Sequence, residues 1–260
     1  KVLFYVQHLL GIGHVKRATT LARAMAGEGV DVTVVSGGAD IQVIDAGGMD
    51  FVQLPPVRAS DRNFGGLVDG AGVPVSEALK AERRDILLQC FADLRPDALI
   101  IELFPFGRRQ LRFELIPLLE AARTAAHQPR VISSVRDILV EKNRPERDAE
   151  MVAWARQYFD DILIHGDPSL IPFEQTFPLA ADIADMMHYT GYVVEHDKIS
   201  AAGGDQGLGE VIVSSGSGAV GALKGYLHPI SVAFEHRHRC KGRFDPGRLS
   251  VAAFGRLLPG

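Results

Sequence analysis

The sequence predicts an α/β fold: a Rossmann-like parallel sheet with helices on both faces, followed by a fragment of a second domain. Three observations carry this. Short apolar runs such as Val2–Val6 have the continuous character of strands buried on both faces. The stretches between them carry apolar residues at helical spacing, so strand and helix alternate along the chain. The 260 residues suffice for one large domain or two modest ones of roughly 100–200 residues each.

The elements follow in order. Gly11 and Gly13 break the first strand, after which Val15, Ala18, Leu21, Ala22, Met25 and Ala26 define a helix with Lys16, Arg17 and Arg23 turned outward. Gly27 and Gly29 stop that helix, and Val30–Val35 is the next strand, completing a βαβ unit in about 35 residues. Phe51–Leu54 is a short strand before a Gly-rich loop, Ser60–Pro74, of a length usual for functional loops. Helices are predicted over Ser76–Leu94, Gln110–Ala126 and Pro145–Phe159, and strands over Ala98–Ile101, Val131–Val135, Ile162–Ile164 and Tyr189–Val194. Residues 1–194 thus form one Rossmann-like domain. Residues 195–209, poor in apolar side chains and rich in glycine, read as a linker. Residues 210–221 start a second domain, with a strand over Glu210–Ser214, and residues 222–260 form an atypical tail.

Composition narrows the function classes. Hydrophobic residues make up 47% and charged residues 23%, which excludes disorder, collagen and a small disulfide scaffold. The net charge of −4 gives no reason to expect a nucleic-acid partner. That value averages two unlike pieces: residues 222–260 carry seven Lys/Arg against two acids, +5, and residues 1–221 carry 21 against 30, −9. Cys90 and Cys240 lack metal-ligand spacing and suit a reducing compartment. No apolar run approaches the ~18 residues of a membrane span, and Lys1–His8 lacks signal-peptide features, so a cytoplasmic protein is expected.

In open α/β sheets, ligands bind beyond the carboxyl ends of the strands. Gly11-Ile12-Gly13-His14 lies there, opening a helix whose free N–H groups favour anions. It is not a dinucleotide fingerprint, because Lys16 stands where the third glycine belongs and Ser36-Gly37-Gly38 where the acid belongs. His14 is a candidate general base, with His8 as a competitor; a turn histidine and a packed histidine are the structural alternatives. Glu102 ends a buried strand, where an unpaired carboxylate is costly. It meets either a ligand hydroxyl or a base such as Arg108 or Arg136. Phe104 and Phe106 form either an apolar, sugar-stacking wall or part of the core. Arg136-Asp137 reads as an internal ion pair or a site, and His165-Gly166-Asp167-Pro168 as a turn with an aspartate cap. Ser215-Gly216-Ser217-Gly218 follows a strand and suits a phosphate-cradling turn.

In combination these segments resemble a family. Tyr5-Val6-Gln7-His8-Leu9-Leu10-Gly11-Ile12-Gly13-His14 resembles the opening of bacterial GT-B fold glycosyltransferases related to the lipid-intermediate N-acetylglucosaminyltransferase of peptidoglycan synthesis. Glu102–Arg109, Ser134–Leu139, His165–Pro168 and Thr190-Gly191-Tyr192-Val193 look like a predicted glycosyltransferase subgroup, and the likeness runs from about residue 2 to residue 221. The resemblance implies an acceptor-type first domain and a second domain for a nucleotide diphosphate sugar. The reaction it implies is sugar transfer to an acceptor hydroxyl. By similarity His14 becomes the base with Glu102 assisting, and Gly11, Gly13, Arg108 and Arg136 line the substrate site. Ser215, Gly216, Ser217 and Gly218 meet the donor phosphates. No cofactor and no metal is expected. The family's best-known relative works on a lipid-linked acceptor, but no amphipathic basic helix stands out in residues 1–221, so peripheral membrane association has no support in the sequence. The likeness ends after Gly221, so the expectation is a truncated or frameshifted member with little turnover. A non-catalytic Rossmann-like binding module and a sugar-nucleotide epimerase are the other classes.

Overall fold

The computed structural model describes residues 1–9, 11–39, 48–61, 65–139 and 144–194. The predicted linker, the strand over Glu210–Ser214, the turn Ser215–Gly218 and the basic tail lie outside the described residues.

The strands are β1 (Val2–Val6), β2 (Val32–Ser36), β3 (Asp50–Gln53), β4 (Val57–Ala59), β5 (Leu67–Asp69), β6 (Ala98–Glu102), β7 (Arg130–Arg136), β8 (Asp161–His165) and β9 (Met187–Tyr189). The helices are α1 (Gly13–Gly27), α2 (Glu77–Leu94), α3 (Arg112–Thr124) and α4 (Pro145–Tyr158). Seven strands form one parallel sheet in the order β3-β2-β1-β6-β7-β8-β9. The predicted Rossmann-like architecture is therefore present.

Alternation along the strands divides the core. Val2, Phe4 and Val6 of β1 face one side, with Val34, Ile100, Ile132 and Leu163, under Val15, Ala18, Leu21, Ala22 and Met25 of α1. Leu3 and Tyr5 face the other, with Leu99, Ile101 and Ile162, under Leu87 and Phe91 of α2, Leu115, Leu118 and Leu119 of α3, and Ala155 of α4. β1 and β6 are buried along their whole length because a strand with helices over both faces exposes neither set of side chains.

Three local expectations need correction. The stretch Ser60–Pro74 is not simply a loop: Leu67–Asp69 pairs antiparallel with Val57–Ala59, and the Asp69 carboxylate accepts from the N–H groups of Ala71 and Val73 at 2.9 Å each, folding the turn beyond. The last strand is Met187–Tyr189 and not Tyr189–Val194; it ends because Gly191 turns the chain at φ 75°, in the left-handed region. The helix expected over Gln110–Ala126 begins as a 3-10 turn at Arg109–Leu111 and becomes α3 only at Arg112.

Candidate functional site

The strand order reverses between β1 and β6: β2 and β3 extend to one side of β1, and β6 to β9 to the other. At such a reversal the following connections leave in opposite directions and a crevice opens beyond the carboxyl ends. Gln7 and His8 follow β1 at this crevice, and Glu102 ends β6 beside it. α1 starts at Gly13, after Ile12, which gives no side-chain cap, and no acid lies in its first turn. Its first N–H groups and positive dipole end are therefore left for an anion. An added Cβ at Gly11 or Gly13 meets nothing within 4 Å among the described residues, so no contact among them requires glycine there.

The centre of the site is Glu102, whose side chain is fully buried. Arg17 Nη2 donates to Glu102 Oε1, His14 Nδ1 lies 3.0 Å from the same oxygen, and Ser134 Oγ donates to Oε2 at 2.6 Å. Burial opposes the carboxylate charge, but the Arg17 charge and the hydrogen bonds from His14 and Ser134 override it and hold the carboxyl at about 2. An ionised carboxylate only accepts, so the 3.0 Å His14 contact takes a hydrogen on Nδ1, and the 3.4 Å approach of Arg17 Nη2 to that nitrogen is then no hydrogen bond. Burial lowers the His14 pKa against the raising effect of Glu102, so the ring is neutral at pH 7 and Nε2 carries the lone pair. Nε2 forms no hydrogen bond among the described residues, and the side chain retains 19% exposure. A carboxylate-held imidazole with its outer nitrogen unprotonated is the arrangement a general base needs.

Cations surround the pair. Arg108 stands in the left-handed region at φ 60° and donates through Nε to the Gln7 carbonyl at 2.8 Å. Its pKa is pushed down to about 10, chiefly by burial, with Arg136 and Arg17 adding repulsion against the attraction of Glu102; it remains charged at neutral pH. The Nε atoms of Arg17 and of Arg136, at the end of β7, are buried without a hydrogen-bond partner. Arg17 and Arg136 thus keep N–H donors to spare, and Arg108 adds a further positive charge beside Glu102.

Of the residues singled out by sequence, the structure brings together His14, Glu102, Arg108 and Arg136, with Gly11 and Gly13 at the helix start. Other readings change. The base paired with Glu102 is Arg17, three residues beyond His14 on the same helix face, and not Arg108 or Arg136. Arg17 is therefore turned inward. Arg136 and Asp137 form no ion pair among the described residues; Asp137 Oδ2 is buried without a partner, against Gly166. His8 packs against Gly38, where a Cβ would lie 2.2 Å from the imidazole. Phe104 and Phe106 belong to the core, Phe104 stacked on Trp154 at 5.3 Å and Phe106 edge-on to Phe173 and Phe177, so they are no sugar wall. Asp167 accepts from the Ser169 N–H and hydroxyl within a turn that leads into no α-helix. Sequence reasoning missed Arg17, Ser134, His165 as a buried polar residue, and Thr190.

No protein-family model and no curated protein matches the chain. Solved structures to which it is similar include Acinetobacter baumannii MurG, at 12% identity and a TM-score of 0.45, covering 76% of this chain and 47% of that one. A glycosyltransferase from Rickettsia africae is 8% identical with a TM-score of 0.46, covering 73% of this chain and 42% of that one. A UGT transferase from Siraitia grosvenorii, in complex with UDP, is 13% identical with a TM-score of 0.43, covering 75% and 52%. The chain spans about half the length of each. Likenesses at this level assign neither activity nor substrate.

Proposed function

We propose that residues 1–194 are the acceptor-side half of an enzyme that transfers a sugar from a nucleotide diphosphate sugar to an acceptor hydroxyl. The observation that carries the reading is the His14–Glu102 pair at the strand-order reversal, beside an uncapped helix N-terminus and three arginines. His14 Nε2 takes the proton of the acceptor hydroxyl as its oxygen attacks the anomeric carbon. Glu102 holds the imidazole in the required tautomer and stabilises the imidazolium that forms. The nucleotide diphosphate leaves with the bonding electrons, and the arginines with the α1 N-terminus supply positive charge for phosphate groups. The resemblance of the loops 5–14 and 102–109 to glycosyltransferase segments supports the choice of sugar transfer among reactions that need a base and an anion site.

Incubation of the full chain with UDP-, GDP- and dTDP-sugars and a panel of hydroxyl acceptors tests this. The reading expects acceptor-dependent release of the nucleotide diphosphate, abolished in His14→Ala. Binding of an acceptor by calorimetry without release under any condition would assign a non-catalytic module instead. Interconversion of the nucleotide sugar without acceptor would assign an epimerase.

A further inference from the structure

Behind the His14–Glu102 pair, a chain of buried side chains crosses the carboxyl edge of four strands. Ser134 of β7 lies opposite Glu102 of β6 in register, which puts its Oγ on Glu102 Oε2 at 2.6 Å. Ser134 Oγ is also 2.9 Å from His165 Nε2, at the end of β8. His165 Nδ1 is 2.7 Å from Thr190 Oγ1, just past β9, where the Thr190 N–H also extends the ladder to the Ile164 carbonyl. Ser134, His165 and Thr190 are all buried.

The directions of these bonds follow from counting hydrogens. Glu102 is ionised and only accepts, so Ser134 gives its one hydroxyl hydrogen to Glu102. The Ser134 oxygen then has only lone pairs for His165, so His165 Nε2 carries a hydrogen. Burial, reinforced by Arg17 and opposed by Glu102, holds the His165 pKa down at about 3, so the ring is neutral and Nδ1 has none. Thr190 must therefore donate to Nδ1; its other acceptors, the Gly191 and Ile164 carbonyls, lie farther off at 3.2 and 3.4 Å.

We infer that Ser134, His165 and Thr190 are positioning residues: a one-way hydrogen-bond chain, Thr190 to His165 to Ser134 to Glu102, whose polarity the ionised Glu102 sets and which holds the Glu102 carboxylate in place against His14 Nδ1. The catalytic consequence rests on His14 being the base proposed above; the polarity of the chain does not. None of the three touches the reacting atoms. Their effect reaches His14 only through Glu102, whose other neighbours are Arg17 and, at longer range, Arg108; His8 also faces His14.

Thr190→Val removes the first donor at nearly constant volume, and Thr190→Ser keeps it. Without that donor His165 Nδ1 is left a buried lone pair with no partner; the Nε2–H to Ser134 and Ser134 to Glu102 bonds keep their direction, because an Nδ1–H would face a methyl group and Ser134 would lose its charge-assisted bond. Nitrogen-15 NMR of histidine-labelled full chain at neutral pH reads each ring nitrogen directly. The expected result is His165 protonated at Nε2 and His14 at Nδ1 in the wild type. In Thr190→Val, His165 keeps its hydrogen on Nε2 while its Nδ1 signal moves to that of an imidazole nitrogen without a hydrogen-bond donor; Thr190→Ser matches the wild type. Nδ1–H on His165 in the wild type, or an Nδ1 signal unchanged in Thr190→Val, overturns the inference. Should Thr190→Val not fold, the wild-type spectrum alone decides. In the transfer assay Thr190→Val lowers kcat at unchanged KM, and Thr190→Ser does not. A wild type without transfer but with the expected tautomers refutes sugar transfer and leaves the chain polarity standing.

Discussion

Two buried arginine–glutamate pairs lie on opposite sides of β1, and they are built to different ends. Arg83 of α2 and Glu114 of α3 form a closed cluster. Arg83 Nε and Nη2 donate to the two Glu114 oxygens at 2.9 and 2.7 Å, Nη1 to the carbonyls of Gly37 and Pro55, and Nη2 to Gln7 Oε1 at 3.0 Å. All five guanidinium hydrogens are used, and the Tyr5 hydroxyl donates to Glu114 Oε1 at 2.5 Å. Burial works against the Arg83 charge, yet Glu114 and Tyr5 more than restore it, and its pKa is raised. Arg17 and Glu102 form an open cluster: the Nε–H groups of Arg17 and of Arg136 are buried and unused, and the outer nitrogen of His14 is free of hydrogen bonds among the described residues. A satisfied buried pair holds elements in place, whereas unspent donors and a free lone pair at a strand-order reversal are a means of meeting a ligand.

Mutations should separate the two. Glu114→Leu leaves Arg83 buried without its counter-charge and should cost about 3–5 kcal/mol of stability in urea unfolding. A loss below about 1 kcal/mol would show that the closed cluster does not hold the fold. His14→Ala should lower transfer at least about 100-fold while moving the unfolding midpoint by less than about 1 kcal/mol; a large stability loss with activity retained would invert the comparison. The glycines give a smaller, paired effect. At Gly37 a Cβ falls 2.1 Å from Gln7 Oε1 and 2.5 Å from Arg83 Nη2, so Gly37→Ala should destabilise by about 1–3 kcal/mol. Gly13→Ala, with open space around it, should be neutral or stabilising by about 0.4–1 kcal/mol yet weaken ligand binding.

The open cluster also leaves a mark on the pH dependence. His165 is held neutral with its pKa lowered from 6.5 to about 3, so below pH 6.5 the unfolded chain binds a proton that the folded one refuses. Stability should therefore be complete above pH 6.5 and fall as pH drops toward 3, by up to about 1.4 kcal/mol per pH unit. Glu102, lowered from 4.5 to about 2, adds a second loss between those values, with the same sign. Urea midpoints from pH 8 to pH 4 check this. In His165→Asn the loss between pH 6.5 and 4.5 should flatten; an equal slope in the variant would place the titration elsewhere.

Most of the sheet could be read from the sequence because its strands are buried on both faces and stand out as apolar runs: Val2–Val6 was predicted at its observed bounds, and Ala98–Ile101 one residue short. The errors fall where tertiary pairing decides. β4 and β5 are three residues each and form only because they meet one another. β9 was placed too late because Val193 and Val194 look like strand, while Gly191 turns the backbone away before them. At the site, His14 and Glu102 stand out singly, one by its glycine-flanked helix start and the other as a charge ending an apolar run. Their contact does not, because it depends on β6 lying next to β1. Arg17 was legible in principle, since three residues along a helix returns to the same face. Ser134, His165 and Thr190 acquire meaning only once the order β6-β7-β8-β9 puts them side by side.

The most direct test of the open site is the pH profile of acceptor-dependent nucleotide diphosphate release by the full chain, wild type beside His14→Ala. The account predicts a wild-type rate with a single acid limb lying below that of an ordinary histidine, set by the lowered His14 pKa, and a variant in which that limb and the activity vanish together. A limb that persists in His14→Ala, or a variant as active as the wild type, would contradict it.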